Sequence, residues 1–379
     1  MRHAVLLALL VGCGPGFVKL DPARARRLDV ALVGGGTAVC PQSGVPQLRA
    51  LVTYRDNQAV QTRSRVDPRG TLRPSELRWT SDVGSIDTDA RLRLPRLLDW
   101  YDRPISITVS VPGRPDVANR IVLVPAFDCD AASSHDGPSG GTGGSGGNGR
   151  FVEVSLAYVD TRLNGRLVLA RVSEGGREPA YYLIDRRGPA AARFVVSARG
   201  GDGGSGSDGM SGSSGSNGTE GLDGFSGDTC EDGGDGGDGG DGADGGDGSD
   251  GGDGGDGGTG GTIVIRYPEQ FPELAYAIEV DVGGGRGGRG GSGGSGGAGG
   301  SGGRGGRGGS GGSTIAADGS TCTTYSGQPG RDGRDGRAGS SGNDGTPGRD
   351  GAPGYVERQA SSIDALFAGE AVQGWPIVR

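Results

Sequence analysis

Apolar and polar positions alternate in short runs along two stretches of the chain. Leu48, Ala50, Val52 and Tyr54 keep a period of two up to a turn signal at Asp56-Asn57, and Ile105, Ile107, Val109 and Val111 do so up to Pro112-Gly113. A period of two puts one set of side chains against a core and the other toward solvent, so each run predicts a half-buried strand. With residues 120–124 closing the set, six or seven short strands separated by turn signals between 28 and 130 predict a β-sandwich. A second group follows. Val152, Val154, Leu156 and Tyr158 alternate, and Asn164-Gly165 between two apolar runs is a two-residue hairpin signal. Residues 180–185, 193–198, 262–267 and 276–282 supply further strands, and the tail from 355 is expected to hold a short helix from Ser362 and a final apolar segment with Trp375.

Between these strands the period changes from two to three. From Gly200 to Gly260 glycine occupies 20 of 21 third positions, the exception being Cys230. Flexible linkers have no reason to hold phase over such a length, so the register predicts a helix with three residues per turn, the polyproline II geometry. Each face of such a helix is one column of the sequence. From Glu231 to Gly260 a second column is also glycine apart from Ala243 and Ser249, and the third carries Asp232, Asp235, Asp238, Asp241, Asp244, Asp247, Asp250, Asp253 and Asp256. Two bare faces are then free to meet neighbouring backbones, and nine carboxylates are expected to point into solvent. Residues 137–149 and 284–312 repeat the grammar, the latter with Arg286, Arg289, Arg304 and Arg307 in its third column; 327–354 keeps one glycine per triplet. Acidic and basic columns favour lying side by side. Leu222, Phe225 and the surroundings of Cys230, the bulky positions of 200–261, are candidate bends or core contacts.

The run Gly330-Arg-Asp-Gly-Arg-Asp-Gly resembles bacterial collagen-like proteins, which trimerise. The Gly-Gly-X stretches are similar to polyglycine II bundles, found in glycine-rich antifreeze proteins and some phage tail-tip adhesins, in which several helices of one chain lie in parallel and antiparallel array. Collagen carries about 15–20% proline or hydroxyproline, whereas residues 200–261 contain no proline. As one rod the stretch would reach roughly 190 Å. An intramolecular bundle is therefore the expectation, with a collagen trimer and a disordered Gly/Ser/Asp tether as the alternatives. Trp79-Thr-Ser-Asp-Val-Gly-Ser-Ile-Asp87 with Arg91-Leu-Arg-Leu94 resembles the middle of a bacterial immunoglobulin-like domain. That resemblance implies a spacer or adhesive module with Trp79 in its core.

Met1-Arg2-His3 opens the chain, followed by an apolar run from Ala4 to Val11 that is too short to span a bilayer. Leu10-Val11-Gly12-Cys13 resembles a bacterial lipobox, which implies cleavage before Cys13 and its acylation, the alternative being an ordinary secretory signal with an accidental cysteine. Gly14, where an aspartate would retain such a protein at the inner membrane, implies export to the outer membrane. Four cysteines remain: Cys40, Cys129, Cys230 and Cys322. An even remainder in an exported chain reads as two disulfides with three possible pairings; pairing within each half, Cys40 with Cys129 and Cys230 with Cys322, is favoured.

Chemical sites are sparse. Gly233-Gly-Asp-Gly-Gly-Asp238 matches the start of a calcium-binding nonapeptide, but Gly240 stands where that repeat needs a large apolar residue. Successive aspartates of one column lie about 9.3 Å apart, too far to share an ion bound at about 2.3 to 2.6 Å. Only two acidic columns side by side could bind calcium, and then weakly; no other cofactor is expected. The Arg-Gly-Gly runs lack the interleaved aromatics of RNA-binding segments, so nucleic acid is not an expected partner. No Gly-x-Gly stretch opens a predicted helix with the lysine of a phosphate loop. His135, in Ser133-Ser134-His135-Asp136, reads as part of a polar linker, and with no Ser/His/Asp set or convincing carboxylate pair the chain is not expected to be an enzyme. The formal charge of -8 sits mainly in the aspartate column, consistent with a hydrated outward surface.

The expected architecture is all-β: an immunoglobulin-like β-sandwich followed by a strand-interleaved bundle of polyproline II-type helices. Its divisions are a signal peptide (1–12), a tether (13–27), the sandwich (28–130), the glycine-rich domain (131–354, with strands in 150–199 and 262–282) and a C-terminal segment (355–379). The expected role is that of a lipid-anchored protein of the bacterial cell envelope, outer-membrane and facing periplasm or exterior. Its expected action is structural or by interaction, with the membrane through its lipid and with another protein or a surface glycan as partner. An adhesin or carbohydrate-binding module is the alternative.

Overall fold

The computed structural model describes residues 16–42, 44–63, 70–187, 191–367 and 376–378. Cys13 and Trp375 lie outside them. Strand accounts for 31% of the chain against 4% helix, so the protein is all-β.

Among its described residues the N-terminal unit has nine strands: β1 (Ala25–Leu32), β2 (Ala38–Val39), β3 (Leu48–Tyr54), β4 (Ala59–Gln61), β5 (Arg78–Ser81), β6 (Ser85–Ile86), β7 (Leu92–Arg93), β8 (Ile105–Val111) and β9 (Arg114–Pro125). They form sheets ordered β1-β3-β4 and β2-β9-β8-β5 and the small pair β6-β7. The alternating residues of β3 and β8 meet in one core, where Leu48, Ala50, Val52, Ile105, Ile107 and Val109 are buried. Turns fall at the signals read from the sequence, with Asn57 at φ 64° and Gly113 at φ 74°. Trp100 is the deeply buried tryptophan; Trp79 is half-buried and donates its indole N–H to the Pro74 carbonyl at 2.8 Å. Cys40 and Cys129 are joined across a Cα separation of 6.2 Å.

Among its described residues the second unit has eight strands: β10 (Ala131–Ser134), β11 (Phe151–Thr161), β12 (Gly165–Glu174), β13 (Ala180–Ile184), β14 (Phe194–Ser197), β15 (Thr262–Pro268), β16 (Glu279–Asp281) and β17 (Tyr355–Ser361). One sheet is ordered β10-β14-β16 with every pair parallel. The other is ordered β13-β12-β11-β15-β17, with β11, β15 and β17 parallel. Phe194 and Val196 from the first sheet and Val152, Val154, Ile263 and Ile265 from the second share a core. The five-stranded sheet is buried on its other face too, where Val159, Leu167, Leu169 and Leu183 meet Phe127; hence the unbroken apolar run Leu167-Val-Leu-Ala in β12.

Three glycine-rich excursions connect these sheets: 137–149 between β10 and β11, 200–261 between β14 and β15, and 283–354 between β16 and β17. Each leaves the three-stranded sheet as an outgoing arm, reverses, and returns to the five-stranded sheet. The outgoing arms continue the parallel order of their sheet: Gly137, Gly140 and Gly143 N–H groups donate to Arg199, Asp202 and Ser205, and Gly203 through Gly227 donate at every third residue to 286 through 310. Returning arms do likewise, Gly233 through Gly260 donating to 325 through 352. Between the two layers the arms run antiparallel, with Gly237 donating to Leu222 and Gly288 to Gly255.

The number of glycines per triplet follows the number of neighbours. Arms 233–261 and 284–312 have neighbours on three sides and carry two glycine columns. A Cβ at Gly242 would lie 2.1 Å from the Gly300 oxygen, and one at Gly297 2.0 Å from that of Ser213. The outgoing arm from 200 begins with paired glycines where the first excursion touches it; a Cβ at Gly201 would meet the Pro138 oxygen at 2.0 Å. Beyond the reversal of the first excursion at Gly143 (φ 66°) the second glycine gives way to Ser207, Met210, Ser213, Ser216, Thr219, Leu222 and Phe225. Side chains at these positions close the edge to a further arm.

Four expectations need correction. The segment read as a polar linker holds β10, whose Ala131 and Ser133 alternate inward. The strand expected over 276–282 shrinks to β16, because Pro272 starts a 3-10 turn (Pro272–Tyr276) that buries Leu274 and Ala275. The tail opens with β17, an edge strand whose mostly exposed side chains leave little apolar signal; the helix from Ser362 is one turn, Ile363–Leu366. Leu222 and Phe225 are not bends but exposed members of a straight arm.

Candidate functional site

Two places set chemically distinctive side chains apart from the rest: the distal reversals of the long excursions, and the root where the first excursion leaves its strand.

The second excursion reverses at 228–231, where Glu231 N–H donates to the Asp228 carbonyl and Cys230 takes φ 65°. The third reverses through 313–324, closed by the bridge between Ile315 and Thr321. Cys230 is bonded to Cys322 at a Cα separation of 5.7 Å, and its N–H donates to Ser313 O. Cysteine thus stands at the single break in the glycine register, at the reversal itself, where its N–H continues the ladder to Ser313 and its side chain bonds to the neighbouring reversal. Exposed apolar side chains lie on the arms leading to this end and in the reversal: Leu222 (83% exposed), Phe225 (70%), Ile315 (61%) and Tyr325 (69%). Phe225 and Tyr325 flank the same triplet of the returning arm. A Cβ at Gly234 would strike the Phe225 ring at 2.5 Å, while Tyr325 N–H donates to Asp232 Oδ1 and Gly233 N–H to Tyr325 O. In the sequence these residues are scattered over a hundred positions; the pairing of the arms sets Phe225 and Tyr325 against different columns of one triplet.

The aspartate column does more than the sequence implied. Asp232, Asp235, Asp238, Asp241, Asp244, Asp247, Asp250, Asp253 and Asp256 are exposed, yet each accepts a backbone N–H from the parallel returning arm, from Tyr325 through Arg349, at 2.6–2.8 Å. The same arrangement links Asp202, Asp208 and Asp223 to the amides of 286, 292 and 307. Extended arms satisfy only part of their backbone polarity with each other, and short carboxylates at the third position satisfy more of it. Hydrogen bonds from Thr346, backbone first and then hydroxyl, hold the Asp253 carboxyl below its ordinary value. The arm beside this column is 327–354, whose Arg331, Arg334, Arg337 and Arg349 give their backbone amides to Asp238, Asp241, Asp244 and Asp256, so the aspartates bond to this arm and not, as expected, to the arginine column of 284–312. Among the described residues no group of three or more His, Cys, Asp or Glu side chains is arranged to hold a metal ion.

At the root of the first excursion, Ser133 Oγ lies 2.9 Å from His135 Nε2, and His135 Nδ1 lies 2.8 Å from Glu174 Oε2. Glu174 also accepts from Arg150 and, at 3.3 Å, from Arg177. The order hydroxyl, imidazole, carboxylate is that of a nucleophile and its base, a set absent from the sequence reading because residue 174 is remote in the chain. Ser133, however, is only 7% exposed, so the trio works as a tie between β10, β12 and the emerging excursion. Hydrogen bonding from His135 and then Arg150 holds Glu174 below its usual range. Beside it, burial pushes the Asp136 carboxyl up, but donation from Ser197 Oγ, Arg199 N–H and Ser134 Oγ outweighs burial and leaves it lowered. No described helix is long and apolar enough to cross a membrane. Comparison with protein-family models, curated proteins and solved structures finds no match.

Proposed function

We propose that this is a lipid-anchored protein of a bacterial cell envelope, acylated at Cys13. In this reading an immunoglobulin-like β-sandwich (28–130) carries a rigid glycine-rich domain (131–354) built of polyproline II-type helices, and the role is structural or one of interaction, not catalysis. The observation that carries the reading is the continuous pairing of the arms from the sheets to the disulfide between Cys230 and Cys322. A domain so tied at both ends transmits position and does not collapse. At about 3.1 Å per residue each long arm extends roughly 85 Å, and the sheets from which the arms spring fix their direction. The sheets β1-β3-β4 and β2-β9-β8-β5 around one core support the sandwich.

Small-angle scattering on the purified chain tests the rigid projection. A compact chain of this length would have a radius of gyration of about 21 Å; a value above about 30 Å with a monomeric mass is expected, and a compact particle or a trimer would overturn the reading.

The adhesin reading is favoured by one specific feature, the exposed Leu222, Phe225, Ile315 and Tyr325 at the far end. Exposed apolar groups rimmed by polar ones mark interaction sites, and flat aromatic faces beside carboxylates suit a saccharide ring. Phe225→Ser with Tyr325→Ser should abolish retention on a glycan array without lowering the melting temperature; retention unchanged by both substitutions would remove this reading.

A further inference from the structure

The N-terminal segment carries a second surface. Val18 N–H donates to Thr71 O at 2.8 Å and Val18 bridges Leu72 in parallel, while Leu72 also bridges Thr62 and accepts from Arg63 N–H at 2.7 Å. Leu20 is buried, while Phe17, Val18 and Lys19 are exposed. Two guanidinium groups cover the Phe17 ring, Arg73 at 4.7 Å and Arg63 at 5.4 Å from its centroid. Phe17 is nevertheless 50% exposed and Val18 45%. The nearby carboxylate of Asp21 accepts the N–H of Ala23 in its own turn.

An exposed aromatic ring covered by two guanidinium groups, with exposed Val18 and Lys19 next along the chain, is the chemistry of a bilayer interface, where apolar groups enter the headgroup region and cations meet anionic phosphates. Chain reach supplies the second argument. Cys13 stands four positions before Phe17, a span of at most about 14 Å. A lipid on Cys13 would hold this surface near the membrane, where charges act over roughly 8 Å. We propose that Phe17, Val18, Lys19, Arg63 and Arg73 form a membrane-seating surface for an anionic phospholipid bilayer, a second anchor beside the acyl chains. The proposal rests on the lipid-anchored reading for its location, not for its chemistry.

The test uses the mature chain from residue 13 with Cys13→Ser, which keeps every described residue and carries no lipid. It should co-sediment with vesicles holding about 30 mol % phosphatidylglycerol in phosphatidylcholine and not with phosphatidylcholine alone, and lose binding as salt rises from about 0.05 to 0.3 M. Lys19→Gln, Arg63→Gln and Arg73→Gln together should weaken binding about a hundredfold, at roughly fivefold per charge, and Phe17→Ser should weaken it on its own. No binding at low salt, equal binding to neutral vesicles, or full binding by a folded triple variant would overturn the proposal. Should the triple variant not fold, the salt dependence of the otherwise unaltered chain decides. Acyl mass on the native N-terminus is measured separately: its absence would remove the lipid reading and leave the vesicle result to stand or fall alone.

Discussion

Gly242 and Gly246 lie four residues apart in one arm, but the arm presents them to different surroundings. A Cβ at Gly242 would sit 2.1 Å from the carbonyl oxygen of Gly300, whereas one at Gly246 would sit 3.1 Å from Ser213 Oγ, which can turn away, and 3.2 Å from the Ser213 backbone N, which need give only a few tenths of an ångström. Real Cβ atoms do not approach backbone oxygen closer than 3.0 Å, so Gly242→Ala must separate the arms by about 1 Å. The crossing bonds Gly300 N–H to Ala243 O at 2.8 Å and Gly303 N–H to Gly240 O at 2.9 Å would then stretch beyond useful length. Two such bonds at about 0.5–1.5 kcal/mol each, with overpacking of about 1–3 kcal/mol, give a loss of about 2–6 kcal/mol. Gly246→Ala costs little in space, and the reduced freedom of the unfolded chain offsets it by about 0.4–1 kcal/mol. The natural residues Ala243 and Ser249 already occupy this column. Thermal and denaturant unfolding, read by circular dichroism and by amide exchange over 231–260, compares the two variants. Equal destabilisation, or a larger effect at Gly246, would refute the reasoning that backbone proximity sets the glycine pattern.

Cys230→Ser with Cys322→Ser should lower stability by up to about 4.6 kcal/mol in the chain-entropy view of a closed loop of this size, seen as a fall in melting temperature and faster exchange at the reversals. Asp253, with its folded pKa below the ordinary 3.8, contributes stability that is present above that value and is lost as pH falls through the lower folded value. Its titration by NMR should therefore come at lower pH than in Thr346→Val, and coincident titrations would reject the assignment. In a wash of about 0.3 M salt, where the electrostatic seating is screened, Cys13→Ala should move the protein out of the membrane fraction; unchanged partitioning without acyl mass on the mature N-terminus would dismiss the anchor.

Much of this fold is legible where a local rule sets it. The alternation in β3, β8 and β11 and the turn at Asn57 depend on neighbours in sequence, and they fall where expected. The two disulfides likewise lie within the two halves of the chain. The register of glycine announced a period of three, and its doubling announced crowded faces. What the sequence does not carry is which column meets which arm. Ser133 and Glu174 are linked through His135 only by the strand order of two sheets, and Phe225 and Tyr325 reach one triplet only through the pairing of two excursions. The aspartates read as solvated because a carboxylate that accepts an amide and one that faces water have the same spacing. β17 hides for a related reason: as an edge strand it buries too little to impose alternation.

The most direct test of the paired-arm architecture is residue-resolved amide exchange in the monomeric chain. In 233–260 two amides of each triplet donate to neighbouring arms, as Gly236 does to Gln328 and Gly237 to Leu222, while the aspartate amides have no such partner among the described residues. Slow exchange at two positions of every three, with fast exchange at the aspartates, is the expected result. One protected amide per triplet in a trimer, or uniformly fast exchange, would contradict it.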